Sequence, residues 1–321
     1  MDNLKKNTYD KELIDLILFH YPCQDGLSSA WVAHYYLKNK NKEHELMPVQ
    51  NNPSYSFDFL DNLYKKAKDK YVAIFDFSFN LEITQKLKSI SKDLIILDHH
   101  ITNSETLKDL NYAYFDMKLS GVGLAWNYFY DDNIPIFLQM IQDRDLWTWK
   151  LPMSKDFCDG LYNVLAGVDG IEKCFDYYDK LLNNENIENK ENIENIENKE
   201  IIKYIELGKI MRAKKEKIIY SIVKSNKKVY NYNFNNNNYK VKMVNCDHEI
   251  ASDLGNALCK SDNCDFAVLW RYDHITEKYW LSLRANNKVD VSAICKTFGG
   301  GGHKNASGCT IDKHPIEIFN N

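Results

Sequence analysis

Short apolar runs alternate with helical patterns along the first half of the chain. The runs predict strands at residues 13–19, 46–49, 71–75, 94–97 and 112–115. The run at 94–97 is apolar on both faces and has no helical period, which is typical of a buried parallel strand. Helices fill the intervals, as at 27–37, and Asn80 and Ser120 are predicted N-caps. Strands that alternate with helices imply right-handed crossovers and a mostly parallel sheet with helices on both faces.

The second half of the chain has a different pattern. Residues 135–182 have a mostly helical pattern, and 183–200 form a polar low-complexity tract that predicts a solvated insertion. A lysine-rich helix follows, with the predicted buried positions Ile202, Ile205, Ile210, Ile218 and Ile222. The predicted fold class is α/β with two domains, namely a larger domain at 10–182, the insertion at 183–200, a linker helix at 201–228 and a smaller α/β domain at 229–321.

Composition narrows the class of protein. A chain of 321 residues, 44% of them apolar, can bury the cores of two domains. No apolar run reaches membrane-spanning length and the first residues lack a signal peptide's apolar segment, so we expect a cytoplasmic protein without a membrane partner. The eight cysteines include no Cys-x-x-Cys pair, which favours reduced thiols. A formal net charge of −4 argues against a broad surface for long duplex nucleic acid.

Acidic and histidine residues follow the predicted strands of the first domain. The candidates are His20, Asp25, Asp76, Asp98, His99 and His100, together with Asp143 and Asp145 at the end of a helix that starts near Pro135. Taken alone, Asp25 is explained as a helix N-cap, Asp76 as a turn former and His20 as a hydrogen-bonded histidine at a strand end. Because the carboxyl ends of parallel strands meet at one edge of a sheet, we expect these side chains to converge there. Carboxylates combined with imidazoles are typical ligands of Mn²⁺ and Mg²⁺ sites.

This set of residues suits hydrolysis of a phosphate ester by two metal ions. The reaction needs a water that is activated at neutral pH and positive charge beside the transition state. Two cations about 3.5–4 Å apart supply both. One carboxylate has to bridge them, and Asp76, at the end of a central strand, is the natural bridge.

The order of the motifs resembles the DHH phosphoesterases that have a C-terminal DHHA1 domain. The resemblance rests on His20, Asp25-Gly26, Asp76, Asp98-His99-His100, Asp143 and a glycine run before His303, and it covers roughly residues 13–310. The Asp-His-His triplet alone is a weak signal, but this order of motifs is a strong one. The resemblance implies a two-domain α/β phosphoesterase, usually manganese-dependent, in a subgroup with a Cys-x-Asp-Gly first motif that is similar to RecJ and to oligoribonucleases.

The resemblance also implies a role for each residue. His20 and Asp76 would bind the first metal, and the second would be bound by Asp25, Asp76, His99 and Asp143. His100 would face the scissile phosphate as proton donor or electrostatic stabiliser, and Asp98 would orient the triplet from behind. Asp145 competes with Asp143, but two residues apart on a helix they point in different directions. We favour Asp143 because the family's fourth acid directly follows an apolar helix.

The first motif departs from the pattern of many members of that family. Cys23 stands where they have the first acid of an Asp-x-Asp pair. Its thiol is either a soft metal ligand or a packing group. The number of ions is therefore left open, at up to two.

The glycine-rich C-terminal motif predicts an anion site. Its glycines, among them Gly300, Gly301 and Gly302, let backbone N–H groups approach a phosphate, and His303 adds a side-chain donor. Arg284, on a neighbouring predicted strand, offers a planar fork to a phosphate. The resemblance implies that this arginine and this histidine bind the distal part of the substrate.

We expect a metal-dependent phosphoesterase that hydrolyses short oligonucleotides or small nucleotides. One alternative is an exopolyphosphatase or a phosphatase of 3′-phosphoadenosine or cyclic dinucleotides. The other is a catalytically weakened member that binds nucleotides, which the substitution at Cys23 motivates. The expected cofactor is Mn²⁺ or Mg²⁺. The expected partners are a short single-stranded oligonucleotide or a small phosphorylated nucleotide, with a homodimer left open.

Overall fold

The computed structural model describes residues 9–50, 55–183, 198–261 and 263–320. The chain divides into two compact units, residues 1–212 and 213–321. The tract predicted as an insertion at 183–200 falls almost entirely on residues 184–197, which lie outside the described residues. Each unit is described by itself below.

The first unit is built on a parallel sheet of five strands. In chain order they are β1 (Leu16–His20), β2 (Glu45–Val49), β3 (Tyr71–Phe75), β4 (Asp93–Asp98) and β5 (Ala113–Phe115). The order across the sheet is β2-β1-β3-β4-β5, and every pairing is parallel. The predicted parallel sheet is confirmed. The chain leaves β1 in one direction and β3 in the other, so their carboxyl ends flank the crevice where such sheets bind ligands.

Helices cover both faces of this sheet. They are α1 (Gln24–Asn39), α2 (Phe57–Ala67), α3 (Leu81–Ile90), α4 (Ile101–Leu107), α5 (Gly121–Phe129), α6 (Ile136–Asp145), α7 (Ser154–Leu165) and α8 (Ile171–Asn183). Alternate residues of the strands enter two separate cores, as Ile17 and Phe19 do on one face and Leu16 and Leu18 on the other. This alternation explains why the strands are apolar throughout.

The second unit contains a mixed sheet of six strands. They are β6 (Tyr230–Phe234), β7 (Asn237–Asn245), β8 (Phe266–Asp273), β9 (Lys278–Ala285), β10 (Gly301–His303) and β11 (Ala306–Ile311), in the order β10-β11-β9-β8-β7-β6. Its helices are the end of α9 (Lys199–Ser225), then α10 (His248–Cys259), α11 (Val291–Lys296) and α12 (Pro315–Ile318). Among these described strands, only β7 and β8 pair in parallel. Strands β6 and β7 form a hairpin, and Asn235 and Asn236 form its turn with positive φ.

Helix α9 buries a different face from the predicted one. Its buried residues include Ile201, Tyr204, Ile205 and Ile219, whereas Ile202, Ile210 and Ile218 are 38%, 59% and 51% exposed. The prediction was wrong for these three because glycines set the contact of α9 with α7. A Cβ on Gly208 would lie 1.7 Å from the carbonyl oxygen of Asp156, so the backbones meet there. The isoleucines on the opposite face then point to solvent.

No helix among the described residues is both long and apolar enough to cross a membrane.

Candidate functional site

Three carboxylates surround the imidazole of His99 at the carboxyl edge of the first sheet. His99 Nε2 lies 3.1 Å from Asp76 Oδ1, 3.4 Å from Asp145 Oδ2 and 3.8 Å from Asp25 Oδ2. Strand β3 delivers Asp76, β4 delivers His99, and α1 and α6 deliver the other two acids. The sheet edge therefore assembles an acid–imidazole cluster from four elements.

Asp76 is the shared member of two groups of ligand atoms. One group consists of His20, Cys23 and Asp76, the other of Asp25, Asp76 and His99, and the atoms within each group lie within 4.8 Å of one another. The Oδ2 atom of Asp76 lies 3.4 Å from His20 Nδ1, while Oδ1 contacts His99. The backbone of Asp76 has φ 62°, a left-handed conformation that few side chains adopt. This sharp turn out of β3 aims the carboxylate between the two groups.

The N-terminus of α5 holds the carboxylate of Asp25. Asp25 accepts hydrogen bonds from Ser120 Oγ at 2.6 Å, Gly121 N at 2.5 Å and Val122 N at 3.1 Å. Ser120 occupies the predicted N-cap position, but its hydroxyl donates to Asp25 and does not cap the helix. A Cβ on Gly121 would lie 2.5 Å from the Asp76 Cβ and 2.8 Å from Asp25 Oδ2. Glycine is therefore required where α5 meets both carboxylates.

Sequence reasoning missed this contribution of Ser120 and Gly121. The available signal was the small-residue run that opens a helix after β5. Small residues at a helix start are common, so the run alone does not indicate that another element's carboxylate binds there.

Asp98 lies behind the triplet and orients His100. Its Oδ1 accepts from His100 Nδ1 at 2.7 Å and from the His99 amide at 2.7 Å. Its Oδ2 accepts from Ser78 Oγ and Asn103 Nδ2 at 2.6 and 3.0 Å. These bonds hold the pKa of Asp98 below its ordinary value despite complete burial. Because Nδ1 of His100 is bound to Asp98, its Nε2 is the nitrogen directed elsewhere.

The electrostatics of the cluster favour a bound cation. Burial and the negative charges of Asp76 and Asp145 raise the pKa of Asp25 well above its usual value. Burial opposes protonation of His99, yet Asp145, Asp76 and Asp25 raise its pKa to about 10. Asp76 Oδ2 and Asp145 Oδ2 are buried, lie 3.4 Å from a histidine nitrogen, and accept no hydrogen bond from the described part of the chain. A divalent cation would offset this concentration of acids, so the residues fit a metal site.

Asp143 lies apart from the acids around His99. Its carboxylate accepts from Thr148 Oγ1, from the amides of residues 150 and 151, and from Ser154 Oγ, all within 3.0 Å. These bonds fix the loop between α6 and α7. Residues two apart on a helix point about 200° apart. Asp145, at the last position of α6, therefore faces His99 while Asp143 faces the loop.

Cys23 precedes α1 and its sulfur lies in the group that contains His20 and Asp76. Burial and the charges of Asp76, Asp145 and Asp25 raise the pKa of its thiol well above the ordinary value. The thiol therefore stays protonated unless a cation offsets these carboxylates.

Part of the glycine-rich motif of the second unit forms a strand. Gly301, Gly302 and His303 form β10, which pairs with β11 in an antiparallel hairpin. The backbone at Gly302 has φ 137°, and a Cβ on Gly300 would lie 2.1 Å from the carbonyl oxygen of Gly308. Gly300 and Gly302 therefore serve the close packing of this hairpin, because a side chain at either position would collide with β11.

Arg284 lies on β9 and is half-buried against α10. It donates to the carbonyl oxygen of Leu283 at 2.9 Å and to Ser252 Oγ at 2.7 Å, both uncharged acceptors. Its aliphatic part occupies the space in front of Gly255. Desolvation lowers the pKa of Arg284 to about 10, so it keeps its charge at neutral pH.

Comparison with known proteins gives the chain relatives over nearly its whole length. Residues 236–319 match the family model of the DHHA1 domain. An uncharacterized protein, R106, of Acanthamoeba polyphaga mimivirus is 33% identical over 96% of this chain and 70% of its own length. RecJ of Thermus thermophilus, solved in complex with Mn²⁺, is 11% identical with a TM-score of 0.52, covering 96% of this chain and 51% of RecJ. An exopolyphosphatase-related protein of Bacteroides fragilis is 14% identical with a TM-score of 0.48, covering 98% of this chain and 91% of its own.

Proposed function

Because the chain belongs to the DHH phosphoesterase family and has a C-terminal DHHA1 domain, we propose that it hydrolyses phosphodiester bonds. The proposed substrates are short oligonucleotides or small nucleotides. The observation that supports this most strongly is the carboxylate of Asp76, which lies between two groups of metal-ligand atoms. A shared carboxylate of this kind is what a two-metal site needs.

The proposed ligands differ from the sequence expectation at one residue. His20 and Asp76 hold one ion, with Cys23 beside them, and Asp25, Asp76, His99 and Asp145 hold the other. Asp145 replaces Asp143 because its free oxygen faces His99, whereas the oxygens of Asp143 are bonded to a loop. The ions are Mn²⁺ or Mg²⁺, and when bound they supply an activated water and positive charge at the phosphate. RecJ, solved with Mn²⁺, supports the first choice.

His100 is the proposed proton donor. Its Nδ1 donates to Asp98, and its ring centroid lies 4.7 Å from that of His99, so Asp98 holds the imidazole beside the proposed metal ligands. Burial opposes the charged imidazole, but the carboxylate of Asp98 raises the pKa of His100 above its ordinary value. The side chain is 18% exposed, so it is not sealed inside the core. An imidazolium in this position neutralises a phosphate oxygen or protonates the leaving group.

Cys23 favours the second candidate function, a weakened member that binds nucleotides without cutting them. Its protonated thiol is a poorer ligand for a hard cation than a carboxylate. The five other members of the proposed ligand set are all present, which favours catalysis.

A substrate panel tests the proposal. The purified chain is incubated with a labelled RNA trinucleotide, a DNA trinucleotide, a cyclic dinucleotide, adenosine 3′,5′-bisphosphate and polyphosphate, with Mn²⁺ or Mg²⁺. Metal-dependent release of mononucleotides from a trinucleotide is the expected result. If phosphate is released from the bisphosphate or from polyphosphate and no trinucleotide is cut, the substrate is one of these compounds and not an oligonucleotide. Binding without any hydrolysis would favour the weakened member.

A further inference from the structure

One face of β9 and β11 in the second unit is only partly covered, because α10 packs over Arg284 at one end of it. On β9 this face carries Trp280, Ser282 and Arg284, and on β11 their register partners Thr310, Gly308 and Ala306. The alternate residues, such as Leu281, Leu283 and Cys309, are buried on the other face. We call the six residues 280, 282, 284, 306, 308 and 310 the open face.

The middle of the open face carries no large side chain. Gly308 is exposed, and a Cβ placed there would meet only the carbonyl oxygen of Leu281, at 3.4 Å. Its register partner Ser282 has a small polar side chain. A trough therefore runs along β9 between Arg284 at one end and Trp280 at the other.

The indole of Trp280 is held in place. Its Nε1 donates to Asp273 Oδ2 at 3.2 Å, and Asp273 is itself fixed by the amide of Ile275 and the hydroxyl of Thr276. The guanidinium of Arg271, the register partner of Trp280, lies over the ring at 5.8 Å from the centroid. The ring remains partly exposed. Because the ring is already held in place, stacking a flat group on it costs little side-chain conformational entropy.

Positive charge lies at both ends of the trough. Arg271 is exposed beside Trp280, and within the described part of the chain Arg284 donates to the uncharged carbonyl of Leu283 and hydroxyl of Ser252. Trp280 and Arg284 are four residues apart on one strand, which separates their Cα atoms by about 13 Å. That span suits a chain of more than one nucleotide.

We propose that the open face binds a single-stranded oligonucleotide of at least two nucleotides, with a base stacked on Trp280 and a phosphate on Arg284. This inference rests on the proposed function for its class of ligand. It adds a residue that sets substrate length, because a mononucleotide bound at Arg284 has no second base for Trp280. Stacking on an aromatic side chain tolerates any base, so the preference is for length and not for sequence.

Binding to the full chain in chelator, where no cutting occurs, tests the proposal. Fluorescence anisotropy is measured with a labelled trinucleotide and with a matched trinucleotide backbone that lacks bases. Trp280→Ala is expected to weaken binding of the normal trinucleotide about 10- to 100-fold. Binding of the baseless chain is expected to change less than twofold. Trp280→Phe is expected to recover most of the affinity because it restores an aromatic surface.

Tyr272→Ala is the matched control. Tyr272 lies on β8, next to Arg271, but its ring contacts Tyr279 on the opposite face of the sheet. Its removal is therefore expected to leave both affinities unchanged. Equal loss for both ligands in Trp280→Ala, or no loss for either, would overturn the stacking proposal. Loss of base-dependent binding together with no hydrolysis by the wild type would keep the stacking site and reject the proposed activity. If the wild type hydrolyses the trinucleotide and Trp280→Ala has no effect on binding, the proposed activity is kept and the stacking site is rejected.

Discussion

The carboxyl edge of the first sheet and the open face of the second sheet are built from opposite chemistry. The first brings three carboxylates to within 3.8 Å of one imidazole in a buried setting. The second presents arginine and tryptophan on a partly exposed sheet surface. Buried acids are unfavourable together unless a cation binds them, whereas an exposed arginine beside an aromatic ring is stable as it stands. The first region therefore suits metal chemistry, and the second suits recognition of a phosphorylated ligand.

Removing the charge of Asp76 is the strongest way to separate the two regions. Asp76→Asn is expected to lower hydrolysis by at least about 1000-fold, because the bridging charge is lost. Asparagine tolerates the left-handed backbone at this position, so folding is expected to persist. Rates and Mn²⁺ affinity are measured together. Asp69→Asn, at an exposed left-handed turn, is the control. Activity within tenfold of wild type would show that Asp76 is not the bridge.

Asp145 and Asp143 form a matched pair that sharpens the ligand assignment. Asp145→Asn is expected to reduce Mn²⁺ affinity about 100-fold with little change in melting temperature. Asp143→Asn is expected to lower the melting temperature by about 5 °C, because it loses charge-assisted bonds to the loop after α6. Calorimetry and thermal unfolding measure the two effects. The opposite pattern would restore Asp143 as the ligand.

Gly121→Ala tests whether α5 positions the acids. The added methyl would lie 2.5 Å from the Asp76 Cβ, so we expect Mn²⁺ affinity to fall about 30-fold through displaced carboxylates. Gly167→Ala is the control, because a Cβ there meets only one atom, at 3.7 Å. An equal effect of both substitutions on affinity would mean that α5 has no special role.

Arg284→Ala tests whether the second unit contributes to substrate binding and not to the chemical step. KM is expected to rise about tenfold while kcat stays unchanged, because the guanidinium binds ground and transition state alike. Arg284→Lys keeps the charge without the fork and is expected to give an intermediate KM. Steady-state kinetics on a trinucleotide distinguishes the parameters. A fall in kcat with no change in KM would assign Arg284 to the chemical step. The open face would then not differ in role from the edge of the first sheet.

Cys23→Asp is expected to produce the smallest change. A carboxylate beside His20 and Asp76 should raise Mn²⁺ affinity about threefold, because a hard cation prefers oxygen to a protonated thiol. Cys23→Ser controls for removal of the sulfur. Titration calorimetry measures both variants. Unchanged affinity in Cys23→Asp would show that the position packs and does not face the ion.

Much of the first unit was predictable from local pattern. The apolar runs identify its strands, and parallel pairing follows from the helices between them. The residues that follow β1, β3 and β4 then have to share one edge, so the convergence of Asp25, Asp76 and His99 was foreseeable. The open face of the second unit was harder to foresee. Which alternate residues of β9 face solvent depends on where α10 and α11 pack, and neither position is written in the strand itself.

The α/β class, the strands of the first unit and the convergence of Asp25, Asp76 and His99 follow from the sequence alone, because strand and helix periods and the chemistry of Asp and His are local properties. The folded chain places Asp145 beside His99 and Asp143 in the loop after α6, brings α5 onto Asp25, pairs the glycine run with β11 and leaves Trp280 partly exposed. These depend on contacts between distant segments. Such contacts select one orientation among several that a local pattern allows.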